Sequence, residues 1–316
     1  MLHRVPLLGF TGICLALAGC DHSQNMALDS GPIITTCESL LTQATTVEAL
    51  ELSSADGRPI PFEIIRPDKP GLYPLVVFSH GAFAAPDRYH ALLRPLAAAG
   101  YVIFAPMHLD SEEWQHEKAP SRDDVWSTRG TDLVLGLSVP SELKMLLARS
   151  AIRIDAGKKI AMGHSYGALL AQIASGAIPA IPSPLVRDPS VSAVVAFSPP
   201  GPTARLIDAD GWAAMSVPSL TVTGTSDIIP GFIDDWEVHK ASYIGAPAGK
   251  RWLWVGEGVD HYFGGMIGRE KPADARSAQL LNRATSTTVA FLQSALKAGS
   301  ICSQAGELDG ESLNKD

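Results

Sequence analysis

The sequence predicts an α/β fold, with a mostly parallel central sheet and helices on both faces. Three observations lead there. Short β-branched runs alternate with longer stretches of helical spacing, the order that builds a parallel sheet through crossover connections. The runs at 75–79 (LVVFS) and 101–105 (YVIFA) are apolar throughout, as expected of strands covered on both faces. Of the 316 residues, 46% are apolar and 18% charged, which fills a large core and excludes disorder and coiled coil. The net charge, 25 − 33 = −8, supplies no basic face to displace counterions, so nucleic acid is not an expected partner.

The chain opens with Arg4 and a largely apolar run over 5–19. That run is shorter than the roughly 20 residues a membrane-spanning helix needs and has the length of a secretory leader. It ends in Leu17-Ala18-Gly19-Cys20, which resembles the lipobox of bacterial lipoproteins. The resemblance implies cleavage before Cys20 and a lipid on its thiol. Residues 1–19 would then be a signal peptide, the mature chain would have 316 − 19 = 297 residues, and the protein would sit in the bacterial cell envelope, lipid-anchored to a membrane. Residues 20–46 are polar and weakly periodic, and read as a tether. Of four cysteines, Cys14 falls in the leader and Cys20 is the lipidation residue. Cys37 and Cys302 remain, and in an exported chain they are expected to form a disulfide.

A catalytic domain is expected over 47–298, with a tail at 299–316. Strands at 47–52 and 62–65, joined by the turn Ala55-Asp56-Gly57-Arg58-Pro59, read as an antiparallel edge. Strand 75–79 follows, then a helix over 86–100 that stops at Gly100, then strand 101–105. Residues 131–149 have helical spacing, with Leu133, Leu137, Leu143 and Leu147 apolar, and Pro140 should kink or split them. Strand 159–162, helix 166–175, strands 192–197, 219–223 and 251–255, and helix 273–296 complete the pattern.

In such sheets chemistry gathers in loops leaving the carboxyl ends of strands. One of these loops reads Gly163-His164-Ser165-Tyr166-Gly167, or G-x-S-x-G, between a predicted strand and a predicted helix. A tight turn there forces an unusual backbone at Ser165, and glycines two residues either side relieve the crowding. A simple N-cap serine would explain Ser165 but not both glycines. Serine is a poor nucleophile alone, so a base and an orienting acid are needed. His261 lies in the loop after strand 251–255. Asp227 lies after strand 219–223 in Gly224-Thr225-Ser226-Asp227, where a turn-capping role is the plain alternative. Asp260 is too close in sequence to His261 to buttress its ring. His80 and His164 flank the motifs, His108 and His116 read as polar-loop residues, and His239 falls in a helical pattern.

The order Ser165, Asp227, His261 is that of the α/β-hydrolases, and residues 47–296 resemble that superfamily. Within it the chain is similar to the dienelactone-hydrolase-like, chlorophyllase-like and polyester-hydrolase-like lineage, through Tyr73-Pro74-Leu75-Val76-Val77-Phe78-Ser79-His80-Gly81. The resemblance implies an oxyanion hole from the backbone N–H groups of Ala82 and Tyr166. There are departures. Dienelactone hydrolases carry Cys where Ser165 stands. Platelet-activating-factor acetylhydrolases place their acid where this chain has Ser198-Pro199-Pro200, and polyester hydrolases usually carry Gly where this chain has Ala168. The implied reaction is cleavage of a small or polymeric carboxylic ester through an acyl-enzyme. A peptidase or amidase, or a ligand-binding lipoprotein without turnover, are the alternatives. Neither cysteine spacing nor an HExxH motif calls for a metal, and no cofactor is expected. Residues 108–130 are read as a wall of the site or a solvated loop. Trp212, Trp236, Tyr262 and Phe263 are read as acyl-pocket lining or core.

Overall fold

The computed structural model describes residues 36–114, 119–202, 206–269, 274–297, 302 and 311–316. The leader, Cys20 and most of the expected tether lie outside them, as does His116. Residues 34–316 form one unit.

Alternation within strands decides the layers. In strand β3 (Gly71–Ser79) the side chains of Val76 and Phe78 enter one core, while Leu75 and Val77 enter the other. All four are fully buried, which is why the run shows no polar alternation. Around β3 the sheet continues with β1 (Thr45–Ser53), β2 (Pro59–Pro67), β4 (Val102–Pro106), β5 (Ile152–His164), β6 (Val191–Phe197), β7 (Ser219–Ser226), β8 (Arg251–Asp260) and β9 (Glu311–Lys315). Their spatial order is β1-β2-β4-β3-β5-β6-β7-β8-β9. The pairs from β4 across to β8 are parallel; β1, β2 and β9 join antiparallel at the two edges.

One face is covered by α2 (His90–Ala98) and α7 (Ala275–Ala295), through Leu92, Leu93, Leu96, Leu280, Leu281 and Phe291. The other carries α3 (Arg122–Leu137), α4 (Ser141–Ala148) and α5 (Tyr166–Ala174), through Leu133, Leu137, Leu143, Leu147, Leu169 and Leu170. Pro140 does split the helical stretch: Val139 takes a positive φ of 54° and Pro140 caps α4. A last short helix, α6 (Ala241–Gly245), follows a 3₁₀ turn at Trp236–Lys240. Among the described residues no helix is long and apolar enough to cross a membrane.

Three stretches carry more structure than the sequence marks. In the tail, Glu311–Lys315 forms β9 along β8. The end of the tether is packed: α1 (Cys37–Leu40) is held by the Cys37–Cys302 disulfide, and Arg283 of α7 joins Glu38 at 2.9 Å and Glu311. The stretch 108–130 is not one loop. Ser121 and Asp124 form a capping box that starts α3 at Arg122, and His108, Asp110 and Ser111 are buried.

Candidate active site

The turn from β5 into α5 is built by exclusion. A Cβ on Gly163 would collide with the backbone of Gly167, and one on Gly167 would collide with the carbonyl of Ser79. Only glycines let the chain pass so close to itself. Ser165 between them is forced to φ 52°, ψ −120°, an unfavourable region for a side chain, and its N–H is held by the carbonyl of Phe197 at 2.8 Å. The result is a partly buried serine set at the N-cap of α5.

The structure brings the three sequence-selected side chains together. Ser165 Oγ lies 3.0 Å from His261 Nε2, and His261 Nδ1 lies 2.7 Å from Asp227 Oδ1. Asp227 is a carboxylate acceptor, so the imidazole carries its proton on Nδ1 and Nε2 accepts from the serine. Asp227 Oδ2 accepts a second bond from Thr223 at 2.8 Å. Asp260 takes another job, accepting from the N–H groups of Tyr262 at 3.0 Å and Gly264 at 2.7 Å, which fixes the loop around His261.

Sequence reasoning missed His239. Its Nδ1 lies 2.6 Å from the Pro199 carbonyl, and its Nε2 lies 3.0 Å from both the backbone oxygen and Oδ1 of Asp227. Both ring nitrogens thus face acceptors. Burial pushes this imidazole down, but the hydrogen bond and charge of Asp227 outweigh it and raise its pKa above the ordinary value. Burial likewise pushes the Asp227 carboxyl up, and the bonds from His239 and His261 reverse that, holding it well below the usual carboxylate range. Asp227, His239 and His261 also form the described cluster whose ligand atoms, within 4.8 Å of one another, could hold a metal. Here Asp227 Oδ1 takes a hydrogen bond from each of the two rings, at 2.7 Å from His261 and 3.0 Å from His239.

A second missed feature ties the two sides of the site. The N–H of Gly81 donates to Tyr89 Oη at 2.9 Å, Tyr89 donates to His164 Nδ1 at 2.9 Å, and His164 Nε2 donates to the His261 carbonyl at 2.8 Å. Burial, with His261 beside it, pushes His164 down to about 3, so it is neutral and can play this donor-and-acceptor part. Gly81 is close to the nucleophile turn: a Cβ there would lie 2.9 Å from His164 Nδ1 and 3.5 Å from Ser165 Cβ. The N–H groups of Ala82 and Tyr166 have no hydrogen-bond partner among the described residues.

Of the possible pocket aromatics, Trp212 and Phe263 are core, at 0% and 1% exposure, with Trp212 Nε1 donating to Gln172. Tyr262 stands edge-on to His261 at 5.0 Å, and Trp126 of α3 stacks on Tyr166 at 6.2 Å. Trp236 lies under Lys240 on the 3₁₀ turn.

The fold and this strained turn define an α/β-hydrolase. The chain belongs to the chlorophyllase family, whose model matches residues 36–195. It is also similar in structure to a protein of Klebsiella pneumoniae subsp. pneumoniae MGH 78578, provisionally named a dienelactone hydrolase. The identity is 18% and the TM-score 0.56, over 79% of this chain and 99% of that one, a likeness of fold. No curated protein matches the chain significantly.

Proposed function

We propose that the protein is a serine hydrolase of carboxylic esters. The observation that carries this is the continuous bond path from Ser165 Oγ through His261 to Asp227, at 3.0 and 2.7 Å. In the proposed cycle Ser165 attacks the ester carbonyl as His261 Nε2 takes its proton. The N–H groups of Ala82 and Tyr166 receive the oxyanion. The imidazolium then protonates the departing alcohol and leaves an acyl-Ser165. Water, deprotonated by the same His261, releases the acid and restores the serine. Asp227 keeps the proton on Nδ1 and stabilises the imidazolium.

The substrate would be a small or polymeric ester. An ester is favoured over an amide only by the resemblance to esterases, so the test is direct. A series of p-nitrophenyl esters from acetate to palmitate is assayed beside the matching p-nitroanilides. Turnover of esters alone supports the reading; faster anilide cleavage makes the protein an amidase, and no turnover of either makes it a binding protein. Lipid anchoring at Cys20 in the cell envelope belongs to the same proposal. It is supported by Leu17-Ala18-Gly19-Cys20, and a Cys37–Cys302 bridge suits an oxidising compartment.

A further inference from the structure

Arg129, on α3, is fully buried, and nothing in the cycle above uses it. Its guanidinium donates from Nη1 to the His80 carbonyl at 2.7 Å and from Nη2 to the Gly81 carbonyl at 3.0 Å. Asp110 neutralises it in a two-point pair, from Nε at 2.7 Å and from Nη2 at 2.9 Å. The same Asp110 Oδ2 accepts the N–H of Phe83 at 3.2 Å. Arg129 also lies over the ring of Tyr166, 4.8 Å from its centroid.

These contacts surround Ala82 without touching its N–H. The Gly81 carbonyl takes two further donors, His80 Nδ1 at 2.8 Å and the N–H of Ala84 at 3.3 Å. A trans peptide is planar, so the carbonyl of Gly81 and the N–H of Ala82 point in opposite directions. Turning the carbonyl toward the buried guanidinium therefore turns the Ala82 N–H away from it. Beyond Ala82 the chain bends at once, with Phe83 at φ 65° and its N–H anchored on Asp110.

We propose that Arg129, paired with Asp110, is a positioning residue that sets the direction of the Ala82 oxyanion donor through the Gly81–Ala82 peptide plane. This rests on Ser165 being the nucleophile. Arginine suits the task because a planar fork holds two carbonyls and a carboxylate at once, which a lysine ammonium cannot.

The full chain is compared with Arg129→Met, Arg129→Lys and Asp110→Asn, using p-nitrophenyl butyrate and, as a tetrahedral analogue, butylboronic acid. Rates are normalised to the folded, titrated fraction. Loss of one oriented donor should lower kcat about 10²- to 10³-fold in Arg129→Met, with KM within about threefold. Boronate affinity should fall in parallel, and the acid limb of the pH profile should stay in place because His261 and Asp227 are untouched. Arg129→Lys, which keeps the charge beside Asp110, should fold and fall between the two. If Arg129→Met does not fold, Arg129→Lys and Asp110→Asn still decide. Wild-type kcat and boronate affinity in the folded variants overturn the proposal, as does a rise in KM alone. Ser165→Ala separates the two levels. If it is inert while the Arg129 variants keep full activity, only the Arg129 role fails; if it is active, the nucleophile reading fails beneath it.

Discussion

Two Ser–His–Asp arrays run through the described residues, and the proposed function uses only one of them. In the first, Ser165 meets His261 at 3.0 Å and His261 meets Asp227 at 2.7 Å. In the second, Ser79 meets His108 at 2.8 Å and His108 meets Asp132 at 2.9 Å, with Arg58 closing the far side of the carboxylate. Their bond lengths do not separate them. Access and backbone do: Ser79 ends a central strand with no exposure, whereas Ser165 sits partly buried on a strained turn beside N–H groups that have no partner among the described residues. The acids differ too. Burial pushes Asp132 up to about 6 against the pull of Arg58, while two imidazoles keep Asp227 ionised. A triad is thus a matter of what can reach the hydroxyl and what waits for the oxyanion, more than of the three side chains.

The widest separation is expected between the serines. Ser165→Ala should lower kcat by about 10⁴-fold or more, whereas Ser79→Ala should stay within about threefold of wild type. The Ser79 variant leaves His108 Nε2 buried without its donor, so its cost of about 1–3 kcal/mol should appear in urea unfolding instead. The acids come next. Asp227→Asn should lower kcat by about 10⁴-fold through the wrong imidazole tautomer, and Asp132→Asn by less than about tenfold. Equal losses in the two would erase the distinction drawn here.

Protonation gives a third contrast. His164 titrates near 3 when folded and 6.5 when unfolded, and His80 and His108, buried as well, are also held well below the ordinary value. Below pH 6.5 the unfolded chain binds protons that the folded chain refuses. Stability present above pH 6.5 should therefore fall as pH drops toward 3, on the order of 5 kcal/mol for His164 alone. Asp132, between about 4 and 6, and His239, whose pKa is raised, act oppositely, and the three lowered histidines His164, His80 and His108 outweigh them. Unfolding midpoints from pH 4 to 7.5 measure this, and His164→Gln should flatten the slope. The smallest effect belongs to the strut between the oxyanion loop and the histidine loop. Tyr89→Phe removes the hydroxyl shared by Gly81 and His164 and should cost about 1–3 kcal/mol, with a modest loss of kcat.

What was legible in the sequence was local. Gly163 and Gly167 mark a turn that excludes Cβ atoms, and Asp227 and His261 follow recognisable strands, so pattern alone located the first array. Nothing local marks the second array, His239 or Tyr89, because their partners come from elements far apart in the chain. His108 read as a loop residue since its burial depends on Asp132, 24 residues on. Arg129 and Asp132 did leave a trace: they lie on the α3 face that also carries Trp126, Leu133 and Leu137. Charges on a buried helical face need partners. Strand β9 escaped notice because five residues of a polar tail form it only by pairing with β8.

Fluorophosphonate labelling followed by peptide mapping tests the contrast most directly. One adduct on Ser165, kept in Ser79→Ala and lost in Ser165→Ala, is the expected outcome. An active protein that carries its adduct on Ser79, or elsewhere with Ser165 unmodified, would contradict it.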